Sequence, residues 1–352
     1  MNSLKIGLVG IGAQTRENIL PSLLQTPDIQ IVAACDGNLG RTDHVRRHIP
    51  GVAQFDNVLT MIDKAKPDAV IAACPPQAHR DIAELAMRKG LHIFVEKPPC
   101  SNLAELQELV ATANEMGVVT GVGMNFRFAR PIQHLRSIRE GRDFGSIAHV
   151  QINHYASKPR TPLWGMNSTL RSFLLAQAIH SIDLAMVFGG QIRDIRSEVQ
   201  TKSDSLIAEI NIGFESGTTV SILTGTMFPY FEFDMKIISD KSSMVQLDNL
   251  WNITLHELDH ATRTGGSDKR WRGSWQPGPL DSGYARSGYQ VELERFFHAI
   301  RTGTRFEADF ASLLPTYEVI ESVCGNTAQV DSAVMQPKSV EAAEPLALST
   351  IS

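Results

Sequence analysis

Lys97 stands in the stretch His92-Ile93-Phe94-Val95-Glu96-Lys97-Pro98-Pro99, where Ile93 to Glu96 read as a short buried strand that runs straight into two prolines. Pro98 bars a helical continuation at Lys97, so the chain leaves the strand extended or turning, with the ammonium at the strand's carboxyl end. In an open α/β sheet, ligands bind at that edge. An ammonium half-withdrawn from water there loses preference for its charged form and becomes a usable proton donor or acceptor. A solvated loop lysine would be spelled the same way, so the context must decide. A second candidate is His180, in an apolar run from about Ser172 to Phe188. Asp183 follows it by three residues, a spacing that puts both on one helix face and lets the carboxylate orient the imidazole.

A nucleotide site is spelled earlier. Leu4 to Val9 read as a strand, Gly10-Ile11-Gly12 follow at once, and Ala13 leads into a helix from about Gln14 to Leu24, interrupted at Pro21. Strand, glycine turn and helix form the context of a dinucleotide fingerprint, with Gly10 for the tight turn and Gly12 for close approach of a pyrophosphate to the helix start. The third fingerprint position is Thr15, larger than the usual glycine or alanine, which predicts a slightly wider helix-to-strand spacing. A second strand, Ile29 to Ala34, ends in Cys35-Asp36. An aspartate there accepts from an adenosine ribose and repels a 2′-phosphate, which favours NAD over NADP. Arg41 nearby leaves NADP open.

The elements that position these groups alternate: a helix over 57–64, a buried strand over 68–73, a helix over 79–89, the Lys97 strand, a helix over 102–116 and a strand over 118–122. Such regularity predicts a parallel doubly wound sheet. Cys74-Pro75-Pro76 opens a second proline-shaped loop at the Lys97 edge, expected to flank a nicotinamide, with His79 read as a helix-start residue. Near Gly123 the alternation stops. This divides the chain into a cofactor domain over 1–123, a second α/β domain over 124–330 and a loosely ordered tail over 331–352. In the second domain, residues 131–138 read as a helix and Ile147 to Tyr155 as a half-exposed strand. The loop Ser157 to Trp164 follows, whose Lys158, Arg160 and Trp164 suit a substrate with a negative group and an apolar or sugar face. Runs at 207–212, 218–223, 231–238, 243–247 and 252–255 predict an antiparallel meander, with Tyr230, Phe231 and Phe233 available to a sheet-to-sheet interface. Residues 261–288 read as a long irregular flap or arm, and 290–301 and 310–324 as helices closing the second domain.

Composition narrows the partners. The chain has 352 residues, 43% hydrophobic and 20% charged, with a net charge of −5 and pI near 6.1. That is the profile of a globular protein acting on a small molecule, not on nucleic acid or an anionic membrane. Neither a membrane-spanning apolar run nor a signal segment is expected, since the chain opens on a strand pattern. Cys35, Cys74, Cys100 and Cys324 are scattered without metal-ligand spacing, so the expectation is reduced thiols, a cytoplasmic setting and no metal.

Together these pieces resemble the Gfo/Idh/MocA oxidoreductases, the family of glucose–fructose oxidoreductase and inositol dehydrogenase. Gly7 to Gly12 resembles the family's opening fingerprint, Cys74-Pro75-Pro76 with His79 its T-P-P-x-x-H loop, and Glu96-Lys97-Pro98-Pro99 its E-K-P signature. Arg127-Phe128 with Pro131 resembles its R-F-x-P segment, with one extra residue before the proline. The resemblance runs from residue 4 to about 330. It implies a Rossmann domain followed by an α/β domain with a large, open, mostly antiparallel sheet, through which homodimers or homotetramers pack. It also implies NAD, with NADP possible, held by Gly10, Gly12, Ala13, Asp36, Pro75, Pro76, His79, Glu96 and Lys97. Lys97 inherits proton transfer, and His180, aligned through Gln177 to Asp183, inherits contact with a substrate hydroxyl. Gln177, Asp183 and Arg127 join Lys158, Arg160 and Trp164 as substrate contacts. The chain departs from the family's polyol dehydrogenases at Ala176, where those carry an acidic residue. The implied activity is hydride transfer between nicotinamide and a secondary alcohol or ketone of a sugar, cyclitol or sugar nucleotide. Alternatives are imine or enone reduction, an NAD-dependent glycosidase of the same fold, and a non-catalytic cofactor-binding protein.

Overall fold

The computed structural model describes residues 3–141, 144–258, 270–276 and 287–334. The first sheet comprises β1 (Leu4–Val9), β2 (Ile29–Cys35), β3 (Ala53–Phe55), β4 (Ala69–Ala72), β5 (His92–Glu96) and β6 (Thr120–Gly123). Its order is β3-β2-β1-β4-β5-β6, parallel throughout. Residues 6–9 of β1, 69–72 of β4 and 93–95 of β5 are buried, almost wholly apolar runs because helices cover both faces. β1 lies at the centre, where the strand order reverses, so the loops after β1, β4 and β5 emerge side by side at one edge. The expected parallel sheet is present. β3 is short and was not foreseen. The helix after β4 runs Pro76–Arg88, earlier than expected, because Pro76 fits a first helical turn that needs no N–H partner.

The second sheet departs from the expected meander. Among the described residues its order is β14-β13-β12-β11-β7-β10-β9-β8, with β7 (Ile147–Tyr155), β8 (Ile192–Lys202), β9 (Ser205–Phe214), β10 (Thr219–Gly225), β11 (Glu232–Ser239), β12 (Met244–Asp248), β13 (Asn252–Leu258) and β14 (Arg270–Trp275). β7 is inserted between β10 and β11 and runs parallel to β10, while the other pairings are antiparallel. The link from β10 to β11, residues 226–231, is too long for a tight hairpin and steps over β7 instead. Alternation along a strand reveals the face of each residue but not its neighbour, so this topology was not legible locally. Most of the 261–288 stretch and the tail beyond 334 lie outside the described residues.

Thr169–Gly189 is one continuous helical segment, with a π-helical turn at Leu174–Ala178 between two α-helical parts. By length and composition alone it could cross a membrane, contrary to the sequence expectation, yet 83% of its apolar window is buried inside the fold. It is a core helix of the second sheet. The helix Tyr289–Thr302, expected to close the second domain, returns to the first sheet instead. Phe296 packs edge-on against Phe94 of β5, and Arg301 donates to the carbonyl of Asp28. Gly121 leaves the room for this: a methyl group there would come within 2.7 Å of the Phe94 ring and 3.0 Å of Phe296.

The two sheets are joined by a buried ion pair. Arg127, in the 3₁₀ turn Asn125–Phe128 after β6, pairs bidentately with Asp183 of the core helix and donates to the carbonyl of Glu307. Both side chains are almost completely buried. Removing one partner of such a pair leaves an uncompensated charge. Asp183→Asn should therefore lower the unfolding free energy by about 3–5 kcal/mol, measured by urea denaturation; an unchanged midpoint would mean that the pair holds nothing together.

Candidate active site

The glycine loop is built from the backbone outward. Gly10 has φ +78°, and a side chain there would run into the carbonyl of Ala73 and Sγ of Cys74 in the loop after β4. Around Gly12 the space is open, with no atom within 4 Å of where a Cβ would stand, which is the cradle a pyrophosphate needs. Ala13 is exposed beside it. Thr15 is fully buried, and its hydroxyl donates to the Gly10 carbonyl, so the larger third residue ties the loop shut. It opens a π-helical turn, Thr15–Ile19, and Pro21 falls harmlessly in the first turn of the α-helix that follows.

Asp36 accepts from the Ile11 N–H at 2.8 Å and from the Asn38 N–H at 2.8 Å. A carboxylate has about four acceptor sites, so this brace of the glycine loop leaves lone pairs for a ribose. Arg41 lies 3.8 Å from it and is largely exposed. These residues fit an adenine dinucleotide.

His79 does more than start a helix. It is fully buried; Nε2 accepts from the Cys74 N–H at 2.7 Å, which leaves the proton on Nδ1 to be donated to the Pro98 carbonyl at 2.9 Å. Burial pushes its pKa down to about 4, keeping the ring neutral. One imidazole thus sews the Pro75-Pro76 loop to the loop that carries Lys97, and touching the cofactor is not required for that. Pro75 is exposed at the edge and Pro76 is buried.

Lys97 emerges from β5 half-buried, and its Nζ donates to the main-chain carbonyl of Ala176 at 2.7 Å, in the π-helical turn of the core helix. Burial lowers its pKa, and the Glu96 charge partly restores it. Glu96 is itself buried, accepts from the Gln14 side chain at 3.0 Å and is raised by desolvation. His180 follows Ala176 by one helical turn. Its ring stacks on Phe126 at 4.3 Å, Nδ1 is buried without a hydrogen-bond partner among the described residues, and burial with the nearby Lys97 holds its pKa well below the usual value. Lys97 and His180 are therefore brought together. Asp183, expected to orient His180, does not: a guanidinium offers it a bidentate, charge-assisted pair that an imidazole cannot match.

The other substrate candidates divide. Arg127 and Asp183 neutralise each other in the core. Arg160 turns away to Asp204, at 3.3 Å, and Lys158 is exposed. Trp164, at φ +54°, presents its carbonyl to Gln77 at 3.2 Å, which docks this loop beside the proline loop. Gln177 is half-buried within the π-helical turn. Phe233 is buried and faces the site, not an interface, packing edge-on against Phe126 and His154. His154 was missed. It is fully buried on β7, its Nδ1 lies 2.6 Å from Ser181 Oγ, Nε2 has no partner among the described residues, and its pKa is pushed down to about 3 by burial and then by Lys97. The signal was its parity with Val150 and Ile152, which puts an imidazole on the apolar face of the strand.

Comparison with known proteins agrees with this layout. A sequence profile described as an oxidoreductase family with an NAD-binding Rossmann fold matches residues 4–124. The crystal structure of a dehydrogenase from Chromobacterium violaceum superposes with a TM-score of 0.92 and 57% identity, over 96% of this chain and all of that one. The D-glucoside 3-dehydrogenase of Escherichia coli strain K12 is 28% identical over 188 residues, 52% of this chain and 53% of that protein; the chain spans about half the length of the curated relatives it matches. Levoglucosan dehydrogenase, solved with NADH and levoglucosan, shares the fold at a TM-score of 0.80 and 18% identity, over 93% of this chain and 98% of that one. A profile that ends just past β6, together with likeness along a whole 57%-identical dehydrogenase, places this chain in the Gfo/Idh/MocA oxidoreductase family, with NAD as its cofactor.

Proposed function

We propose that the protein is an NAD-dependent oxidoreductase acting on a secondary alcohol or ketone of a sugar, cyclitol or sugar nucleotide. The observation that carries this reading is the meeting of Lys97 and His180 at the sheet edge where the glycine loop and the Pro75-Pro76 loop also emerge. When bound, nicotinamide would supply the hydride acceptor for oxidation of the alcohol to a ketone, and the hydride donor for the reverse. The hydroxyl proton goes to the Lys97 amine, which its burial makes available; in reduction the Lys97 ammonium returns it to the ketone oxygen. His180 stays neutral and serves as a hydrogen-bond partner of the same oxygen. Asp36 selects NAD by accepting from the ribose and repelling a 2′-phosphate.

Reduction of an imine or enone is a second reading, favoured by the aromatic wall of Phe126 and Phe233 beside His180 and by a carbonyl, not a carboxylate, on Lys97. Assembly of copies through the outer face of the second sheet belongs to this proposal as well. Tyr230, about half exposed in the link before β11, supports that assembly, while Phe231 packs edge-on against His154 of the site.

Turnover with a panel of sugars, cyclitols and sugar nucleotides gives the assay. Lys97→Met should leave NADH binding near normal by nicotinamide fluorescence while lowering kcat at least 100-fold, in the usual range of about 10²–10⁴ for a lost acid/base group; undiminished turnover would remove Lys97 from the chemistry. Asp36→Ala should weaken NADH binding more than NADPH binding, and equal losses would take Asp36 off the ribose. Because the amine is the base, oxidation should rise with pH through a Lys97 pKa below that of free lysine, while reduction falls over the same interval. Parallel pH profiles in the two directions would contradict the assignment.

A further inference from the structure

Lys97 is held in an unusual way for a lysine that must exchange a proton. Among the described residues its Nζ has one hydrogen-bond acceptor, the Ala176 carbonyl at 2.7 Å. That carbonyl belongs to the π-helical turn Leu174–Ala178, flanked by α-helix on both sides. In an unbroken α-helix each carbonyl points along the axis at the N–H four residues on. A π-helical turn widens the ladder by one residue and displaces its carbonyls, and such turns recur at functional sites. Four residues on, one helical turn away, is His180, so the same helix face presents the carbonyl to Nζ and the imidazole beside it.

The chemistry of the acceptor matters. A carboxylate partner binds an ammonium strongly and an amine weakly, so deprotonation would break an ion pair and release the side chain. A neutral carbonyl accepts from either form, because amine and ammonium both carry N–H donors. The titratable groups near Nζ are Glu96 on β5, His180 on the core helix and His154 on β7. Burial keeps both histidines neutral, and Glu96 is already engaged by Gln14. Nothing else in this set competes for Nζ.

We propose that the main-chain carbonyl of Ala176, displaced by the π-helical turn, is the positioning group of Lys97: it holds Nζ in both protonation states, so the lysine gives up and regains its proton without leaving its place. This rests on the oxidoreductase reading for its purpose, but not for its test. The anchor is a backbone atom, so the direct perturbation is a backbone one. Replacing Gln177 with its α-hydroxy analogue by nonsense suppression turns the Ala176 carbonyl into an ester carbonyl, a weaker acceptor, and keeps the side chain. Lys97 is then titrated by ¹³C NMR of its labelled Cε, assigned by the signal lost in Lys97→Met.

A hydrogen bond to a charged group contributes about 1.5–3 kcal/mol and one pKa unit corresponds to about 1.4 kcal/mol, so weakening this one should lower the Lys97 pKa by about half a unit to one unit. Ala176→Asp, which adds a carboxylate at the same turn, should raise it by about one unit or more and move the pH profile of turnover with it. NADH binding should change less than twofold in the ester variant, while kcat falls several-fold. An unchanged Lys97 titration in the ester variant would overturn the proposal, whatever substrate is found; so would an unchanged titration in Ala176→Asp if the ester variant does not fold. Should the protein turn over none of the panel, the oxidoreductase reading fails, and the lysine titration still decides the anchor.

Discussion

A guanidinium withdrawn from water has to be answered inside the protein, and the answer to Arg127 is Asp183. The pair fixes more than charge. Arg127 lies in the turn after the last strand of the first sheet, and Asp183 lies on the core helix of the second. Phe126, one residue before Arg127, stacks on His180, one helical turn before Asp183. Two contacts a turn apart set both the height and the rotation of the helix against the first sheet. Ala176 and His180 can meet Lys97 only because that relation is fixed. The pair's net stabilisation is small once desolvation is counted; its effect is on geometry.

Much of the cofactor half was legible in the sequence because its signals are local. Gly10 is required by a positive φ and by the closeness of the loop after β4, and Asp36 ends a strand at a fixed distance from it. Lys97 was legible because two prolines stop its strand. Contacts made between distant segments were not legible. Asp183 was placed with His180 because they share a helix face, but a helix face only lists possible partners, and the partner was Arg127, 56 residues away. His79 looked like a cap, and only the fold shows that Cys74 and Pro98 lie on either side of it. The insertion of β7 beside β10 was hidden for the same reason, since alternation says which way a side chain points and nothing about the neighbouring strand.

The site is bordered on two sides by helical turns that are not α-helical, Thr15–Ile19 beside the glycine loop and Leu174–Ala178 beside Lys97. Both have a physical use. At the first, Thr15 closes its hydroxyl onto Gly10, and the preceding Gln14 reaches Glu96 across the sheet edge. At the second, the Ala176 carbonyl meets the lysine. An irregular turn costs some helix stability, and here each irregularity joins a strand end to a helix that would otherwise pass it by. The extra apolar length of the core helix has the same logic: an irregular turn is tolerated where the rest of the helix is packed on all sides.

Burial also sets which groups in the site can carry charge. His79, His154 and His180 are all enclosed, and each is held neutral because an imidazolium there would lose its hydration and, for the last two, face the Lys97 ammonium. On the acidic side, Glu292 on the helix Tyr289–Thr302 is fully buried, which pushes it towards the protonated form, and Glu96 adds to that preference. Glu96, with Gln14 and the Lys97 N–H around it, is the better solvated of the two by protein donors. With both facing imidazoles neutral and Glu96 beside it, a proton gained or lost by Lys97 changes the field in the pocket more than it would among many compensating charges. The enclosure that makes the lysine willing to lose its proton is thus the same one that keeps its neighbours from taking over the role.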